Sequence, residues 1–357
     1  MLTSLEPLLE GKRMVICAGP GGVGKTTTAA AVALGLAERG KKVAVVTIDP
    51  ARRLATALGL DELGNEPHRV ECEVEGELWA MMLDAKRTFD ELIDRLAPDD
   101  RTRDEVFSNR IYQQLSSAVA GSQEFTAIAK LYELDQSARF DVLVLDTPPS
   151  RNALDFLDAP GRLTRFFQGR AIRMFLKPAG LLGRGTGLVF SVMRKVTGVD
   201  LLQDLSGFFR ALGGMIDGFT ERARSVGALL EDPATTFLIV TAPRHDPVEE
   251  AIFFHRKLRE AGMPFGGLVV NRVHQPPDDG LPEPVAAELG PALAERVSAA
   301  AAQLGALAAR DATNVAALRS RLDEPPTLVV PELAGDVHDL DGLAAVRAHL
   351  FDGESSP

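Results

Sequence analysis

The chain has 357 residues, 45% of them hydrophobic, with a net charge of −11 and a pI of about 5.2. That length allows one large domain or two ordinary ones, and the acidity argues against a nucleic-acid-binding face. The two cysteines, Cys17 and Cys72, form no C-x-x-C, so neither a disulfide framework nor a zinc site is expected. No signal sequence precedes the first predicted strand and no uncharged apolar stretch is long enough to span a bilayer, so a cytoplasmic location is expected.

Met14 to Ala18 is an apolar run of the kind found in a strand buried on both faces of a parallel sheet. Gly19-Pro20-Gly21-Gly22-Val23-Gly24-Lys25-Thr26 then fills every fixed position of the phosphate-binding loop G-x-x-x-x-G-K-[ST]. Thr27 to Arg39 follows with helical spacing, so the loop is predicted at a strand-to-helix turn. There the backbone N–H groups of Gly21, Gly22, Val23 and Gly24, with the helix N-terminus, can cradle phosphate oxygens. Lys25 is positioned to reach the β- and γ-phosphates, Thr26 to offer its hydroxyl to Mg²⁺, and Thr27 to line the same site.

Lys41 to Asp49 is predicted as a second buried strand ending on a carboxylate, where a parallel strand meets a nucleotide. A short strand at Leu78 to Leu83 is followed by helical patterns at Ala85 to Leu96 and Arg103 to Ala120, within a helical insertion of about 86–135. Phe140 to Leu145 is the clearest buried strand. It stops at Asp146, an arrangement that holds Mg²⁺ directly or through water.

A second helical insertion is expected at about 155–230. Within it, Gly161 to Lys195 carries eight Arg and Lys and no Asp or Glu, interleaved with bulky apolar residues. Phe175, Leu181, Leu188, Phe190 and Met193 are the candidates there for contact with a hydrophobic client or a membrane surface. A core with a solvated basic face explains the same pattern equally well. Further strands are predicted at Phe237 to Thr241, Gly267 to Val270 and Thr327 to Val330, with an alanine-rich surface helix from about Ala292 to Leu307. His245, His274 and His338 lie near strand ends and receive no role. Strands alternating with helices predict an α/β fold, a doubly wound, mostly parallel P-loop NTPase sheet with a helical subdomain.

Taken in order, GPGGVGKTTTAA, TIDPARRLATALGL, VLDTPPSRNALDFLDAP, VVNRVH and VPELAGDVHDLDGL resemble the arsenical-pump ATPase family, which includes the tail-anchored-protein targeting ATPase of eukaryotes. The likeness is to bacterial members with a single phosphate loop. It implies that Asp49 is the switch I aspartate positioning the attacking water and Asp146 the switch II aspartate. It also implies that Asn271, with Arg272 beside it, reads adenine, and that Pro331 to Asp336, including Leu333, packs over the base. Three departures stand out. Pro20 replaces the family's lysine that crosses a dimer to touch the partner's phosphates. Arg52 and Arg53 replace a His and a small polar residue, and the cysteines of the arsenite site and of the dimer-bridging zinc are missing.

The resulting expectation is a Mg²⁺-dependent ATPase working as a dimeric switch, a homodimer or a heterodimer with a related ATPase, coupled to a hydrophobic or membrane-associated client. No nucleic acid or zinc is expected, and a peripheral place at the membrane is left open. Alternatives are the ATPase subunit of an arsenite or oxyanion efflux system, an ATP-binding partner of weak activity paired with an active relative, and a small-molecule kinase, for which no acceptor site is recognisable.

Overall fold

A computed structural model describes residues 1–49, 51–110, 112–113, 123–148, 207–277 and 290–353. The chain divides into two compact units. One comprises Met1–Met82, Phe140–Ala153 and Asp232–Pro357, the other Leu83–Arg139 and Leu154–Glu231.

The first unit is built on an eight-stranded sheet. Its strands are β1 (Met14–Ala18), β2 (Lys42–Thr47), β3 (His68–Arg69), β4 (Glu77–Met82), β5 (Val142–Asp146), β6 (Thr235–Thr241), β7 (Phe265–Val273) and β8 (Thr327–Pro331). Their order is β3-β4-β2-β5-β1-β6-β7-β8. Every pairing is parallel except the edge pair of β3 with β4. The predicted α/β class and mostly parallel sheet are therefore observed. The apolar runs of β1, β5 and β6 are buried at every position, as strands covered on both faces must be. After β1 the chain steps to one side for β2 and β4, returns for β5, and then builds β6, β7 and β8 on the other side of β1. The order thus reverses next to β1, and the crevice at such a reversal is where open α/β sheets bind ligands.

Register levels the ends of three strands. Thr47 of β2 and Cys17 of β1 both sit opposite Asp146 of β5. The helix after β1, α2 (Lys25–Glu38), is Ala-rich and buried from Thr28 to Ala37. It lies under α10 (Leu340–Phe351), which Asp339 caps by accepting the Gly342 N–H at 2.8 Å. Two short helices, α1 (Glu6–Leu9) and α3 (Arg53–Ala57), join the same core, while α8 (His245–Glu260) packs on β6 and β7.

Two sequence expectations need correcting. The alanine-rich helix does not stop at Leu307: α9 runs from Pro291 to Arg321, and its buried residues, Ala308, Asp311, Val315 and Leu318, all lie beyond the predicted end. These buried positions, spaced i, i+3, i+7 and i+10 on one face, begin only where the alanine run finishes. The helix expected at Arg103 to Ala120 begins earlier, as α5 (Asp100–Ser108), capped by Asp99, and is interrupted where Asn109 turns extended with ψ 128°, with helical backbone again at Arg110, Tyr112 and Gln113. Residues 114–122 lie outside the described residues. β3 was not foreseen, being two exposed residues without a periodic signal.

In the second unit, α4 (Ala85–Leu96) and α7 (Ile216–Glu231) both pack on α6 (Gln123–Gln136), beside an aromatic core. Phe89 stacks on Phe219 with ring centroids 5.7 Å apart, and Tyr112 and Phe208 pack alongside. Lys130 is buried here, its charge balanced by Glu91 at 3.1 Å and Glu133 at 3.5 Å. The client candidates Phe175, Leu181, Leu188, Phe190 and Met193 lie outside the described residues, as does the whole basic apolar segment.

Candidate functional site

The loop between β1 and α2 depends on glycine at two positions. Gly19, at φ 154°, passes so close to β6 that a Cβ would collide with the Val240 carbonyl, and Gly24, at φ 89°, leaves no room for one beside the Asn271 amide. Only glycine combines those backbone angles with that approach. Gly24 is also the N-cap of α2, so the helix begins at Lys25 with its free N–H groups facing the loop. Gly21 is exposed, Gly22 sits at φ 74°, and Val23 is fully buried.

Lys25 is buried and folds back onto its own loop, its Nζ donating to the Pro20 carbonyl at 2.7 Å. Burial holds its pKa below the ordinary lysine range, against the opposing pull of Asp146 and Asp49. Beside it, Asp146 ends β5. Its Oδ2 accepts the hydroxyls of Thr26 at 2.7 Å and Thr47 at 2.9 Å. Its Oδ1 is buried with no hydrogen-bond partner among the described residues. Burial raises the Asp146 pKa from 3.8 to about 6, with Thr26, Thr47 and Lys25 pulling the other way.

Asp49 lies two residues beyond the end of β2. Its N–H donates to Thr47 Oγ1 at 3.2 Å, and its Oδ1 accepts the Ala51 N–H at 3.0 Å in an Asx turn. Its Oδ2 pairs with Arg53 at 3.3 Å. Arg52, at φ 52°, points elsewhere and pairs with Glu62 at 3.7 Å. Thr47 therefore connects Asp49 to Asp146, a role the sequence reading did not assign. Its signal was present as the one hydroxyl at the end of the apolar strand KVAVVT.

Asn271 and Arg272 occupy a register shift in β7 between Val270 and Val273, with Arg272 at φ 60°. Such a bulge re-aims side chains at the end of a strand. Asn271 Nδ2 donates to the Val23 carbonyl at 2.9 Å, and the Arg272 guanidinium to the Gly22 carbonyl at 3.3 Å, so both hold the phosphate loop. Next to them a cavity of about 380 Å³ is lined by Gly24, Thr27, Arg53, Asn271, Arg272, Pro331 and Leu333, together with Glu332, Asp336 and His338. Glu332 and Asp336 belong to the Pro331 to Asp336 loop expected over the base, and His338 receives no role from the sequence. The structure thus brings together the loop, Asp49, Asp146, Asn271, Arg272, Pro331 and Leu333 in one region of the first unit. A larger cavity of about 470 Å³, nearly all apolar, lies against α9 and contains none of these residues. Near it, His274 Nδ1 lies 2.6 Å from the buried Asp311 and fastens the end of β7 to α9. Both cysteines are free thiols.

A parallel sheet whose first strand runs through a glycine loop into a helix, with carboxylates at the ends of its neighbours, defines a P-loop nucleotide-binding protein. The model of the anion-transporting ATPase family matches residues 12–280, and the chain belongs to that family. It is an ATPase, with ATP as its nucleotide. Among its relatives, ATPase GET3 of Malassezia globosa is 28% identical over 286 residues, covering 77% of each chain. The ATPase ASNA1 homolog of Cryptosporidium parvum is 28% identical over 282 residues, covering 77% of this chain and 69% of that one. The ASNA1 homolog of Dictyostelium discoideum is 26% identical over 294 residues, covering 77% of each chain.

Proposed function

We propose that the chain hydrolyses ATP in a Mg²⁺-dependent manner and uses its nucleotide state as a dimeric switch that binds and releases a hydrophobic or membrane-associated client in the cytoplasm. The observation that carries this reading is the convergence of Lys25, Thr26, Thr47, Asp49 and Asp146 at the level ends of β1, β2 and β5. A divalent cation fits here. The orphaned, buried Asp146 Oδ1 is a carboxylate oxygen in want of a partner, and the Thr26 hydroxyl is within hydrogen-bonding reach of the same carboxylate. Bound there, Mg²⁺ would supply charge to balance the phosphate oxygens.

The protein's own groups would do the rest. Lys25 exchanges the Pro20 carbonyl for phosphate oxygens, and the loop N–H groups hold them. Asp49 orients the attacking water and accepts its proton, which first requires Arg53 to let go. Exposed ion pairs of this kind contribute about 0–1 kcal/mol, so phosphate can outbid Asp49 for the guanidinium. That exchange would place Arg53, rather than Arg52, where the family's missing lysine would otherwise bring a cation. Asn271 and Arg272 brace the loop and, with Pro331 and Leu333, enclose the nucleoside. The second unit, with the basic apolar segment 161–195, would form the client-binding subdomain.

The switch is tested by sedimentation velocity of a hydrolysis-blocked Asp49→Asn variant. A shift from monomer to dimer on adding ATP and Mg²⁺, absent with ADP, is the expected outcome. A single species of unchanged mass in every nucleotide state would remove the dimeric switch.

A further inference from the structure

We infer that the Thr47 hydroxyl is the positioning group that couples the Asp49 loop to the Asp146 carboxylate, so that filling the cation and phosphate site sets the conformation of the loop that orients water. The inference rests on the proposed roles of Asp49 and Asp146 and names the link between them.

Thr47 is the last residue of β2 and is 2% exposed. Its hydroxyl uses both of its capacities. The proton goes to Asp146 Oδ2 at 2.9 Å, and a lone pair accepts the Asp49 N–H at 3.2 Å. Parallel register puts Thr47 directly opposite Asp146, so the contact is fixed by strand pairing and not by a flexible loop. Thr26 also donates to Asp146 Oδ2, at 2.7 Å, but Thr26 belongs to the phosphate loop and, among the described residues, has no hydrogen bond to the Asp49 loop. Thr47 is thus the single hydroxyl, among the described residues, in hydrogen-bond contact with both carboxylate-bearing segments. Any movement of the Asp146 carboxylate toward a cation must either carry the Thr47 proton with it or break the bond. In both cases the acceptor offered to Asp49 N–H reorients. A buried donor-acceptor chain of this kind transmits position because each of its members is costly to leave unpaired.

Replacing Thr47 by valine keeps the shape and removes both hydrogen bonds, whereas serine keeps the hydroxyl. The first readout is backbone hydrogen exchange at Asp49 in the nucleotide-free protein, which needs no turnover. Thr47→Val is expected to speed exchange there about fivefold, the loss of one net hydrogen bond, and Thr47→Ser to leave it within about twofold of the parent. The second is the Mg²⁺ concentration that half-saturates ATP binding, expected to rise about fivefold or more in the valine variant and to be restored by serine. Unchanged exchange at Asp49 in Thr47→Val, an unchanged Mg²⁺ requirement, or a serine variant as impaired as valine would each overturn the coupling. Failure of the underlying reading has a different signature. Full turnover by Asp49→Asn would remove Asp49 as the water-orienting group while leaving in place the difference in Asp49 amide exchange between Thr47→Val and the parent.

Discussion

Asp146 concentrates the conflict on which the site depends. Taking a carboxylate out of water is costly, and two hydroxyl donors and a nearby lysine recover only part of that cost, so its pKa stays raised at about 6. A raised carboxylate pKa favours the protonated folded form. The group is therefore harmless to stability below its ordinary value of 3.8 and increasingly destabilising as pH climbs through about 6. A gap of about two units corresponds to at most about 3 kcal/mol above pH 7. Asp146→Asn keeps an acceptor for Thr26 and Thr47 and removes the charge. It is expected to stabilise the nucleotide-free protein by about 1–3 kcal/mol at pH 8, with the gain gone by pH 4. Urea denaturation at the two pH values measures this, and a variant less stable at pH 8 would show that burial is not the dominant influence. A cation at the orphaned Oδ1 would relieve the same strain. At this scale Lys25, Thr26, Asp49 and Asp146 were legible from motif and strand ends. Thr47 was not, because a threonine in a strand has a sufficient β-propensity explanation until register puts it opposite a carboxylate.

The bulge in β7 shows how an element aims residues that its regular form could not. An unbroken strand would alternate Asn271 and Arg272 across the sheet, whereas the register shift lets both reach the phosphate loop. The cost is Arg272 at φ 60°, a conformation that side chains with a Cβ adopt at about 1 kcal/mol. Arg272→Gly is expected to raise thermal stability by about 0.5 kcal/mol, strain relief exceeding the loss of one exposed hydrogen bond. A loss of more than about 1 kcal/mol in differential scanning calorimetry would mean that the guanidinium on Gly22 outweighs the backbone strain. The sequence motif NRV marked the place, but no local pattern announces a positive φ at arginine. The length of α9 was hidden for a related reason: alanine propensity signals a helix without saying which face is buried, and its anchoring residues fall outside the alanine run.

For the molecule as a whole, the strands follow from apolar runs bounded by turns, whereas their order in the sheet comes from the structure, and the candidate nucleotide site lies where that order reverses. Family membership agrees with both. The insertions expected at about 86–135 and 155–230 fall within the second unit, Leu83–Arg139 and Leu154–Glu231, but its packing was not legible, because it rests on aromatic contacts between segments as distant as Phe89 and Phe219. Among the described residues no helix is long and apolar enough to cross a membrane. The arsenite alternative gains nothing from one buried and one half-buried thiol, Cys17 and Cys72, the first held protonated mainly by its burial. In the proposed mechanism this sheet end performs hydrolysis and Asp49 orients the water. Steady-state phosphate release with Mg²⁺ and ATP, measured beside ATP affinity in the parent and in Asp49→Asn, tests it most directly. Turnover is expected to fall by about a hundredfold while affinity changes less than about threefold. Equal turnover, or a variant that no longer binds ATP, would contradict it.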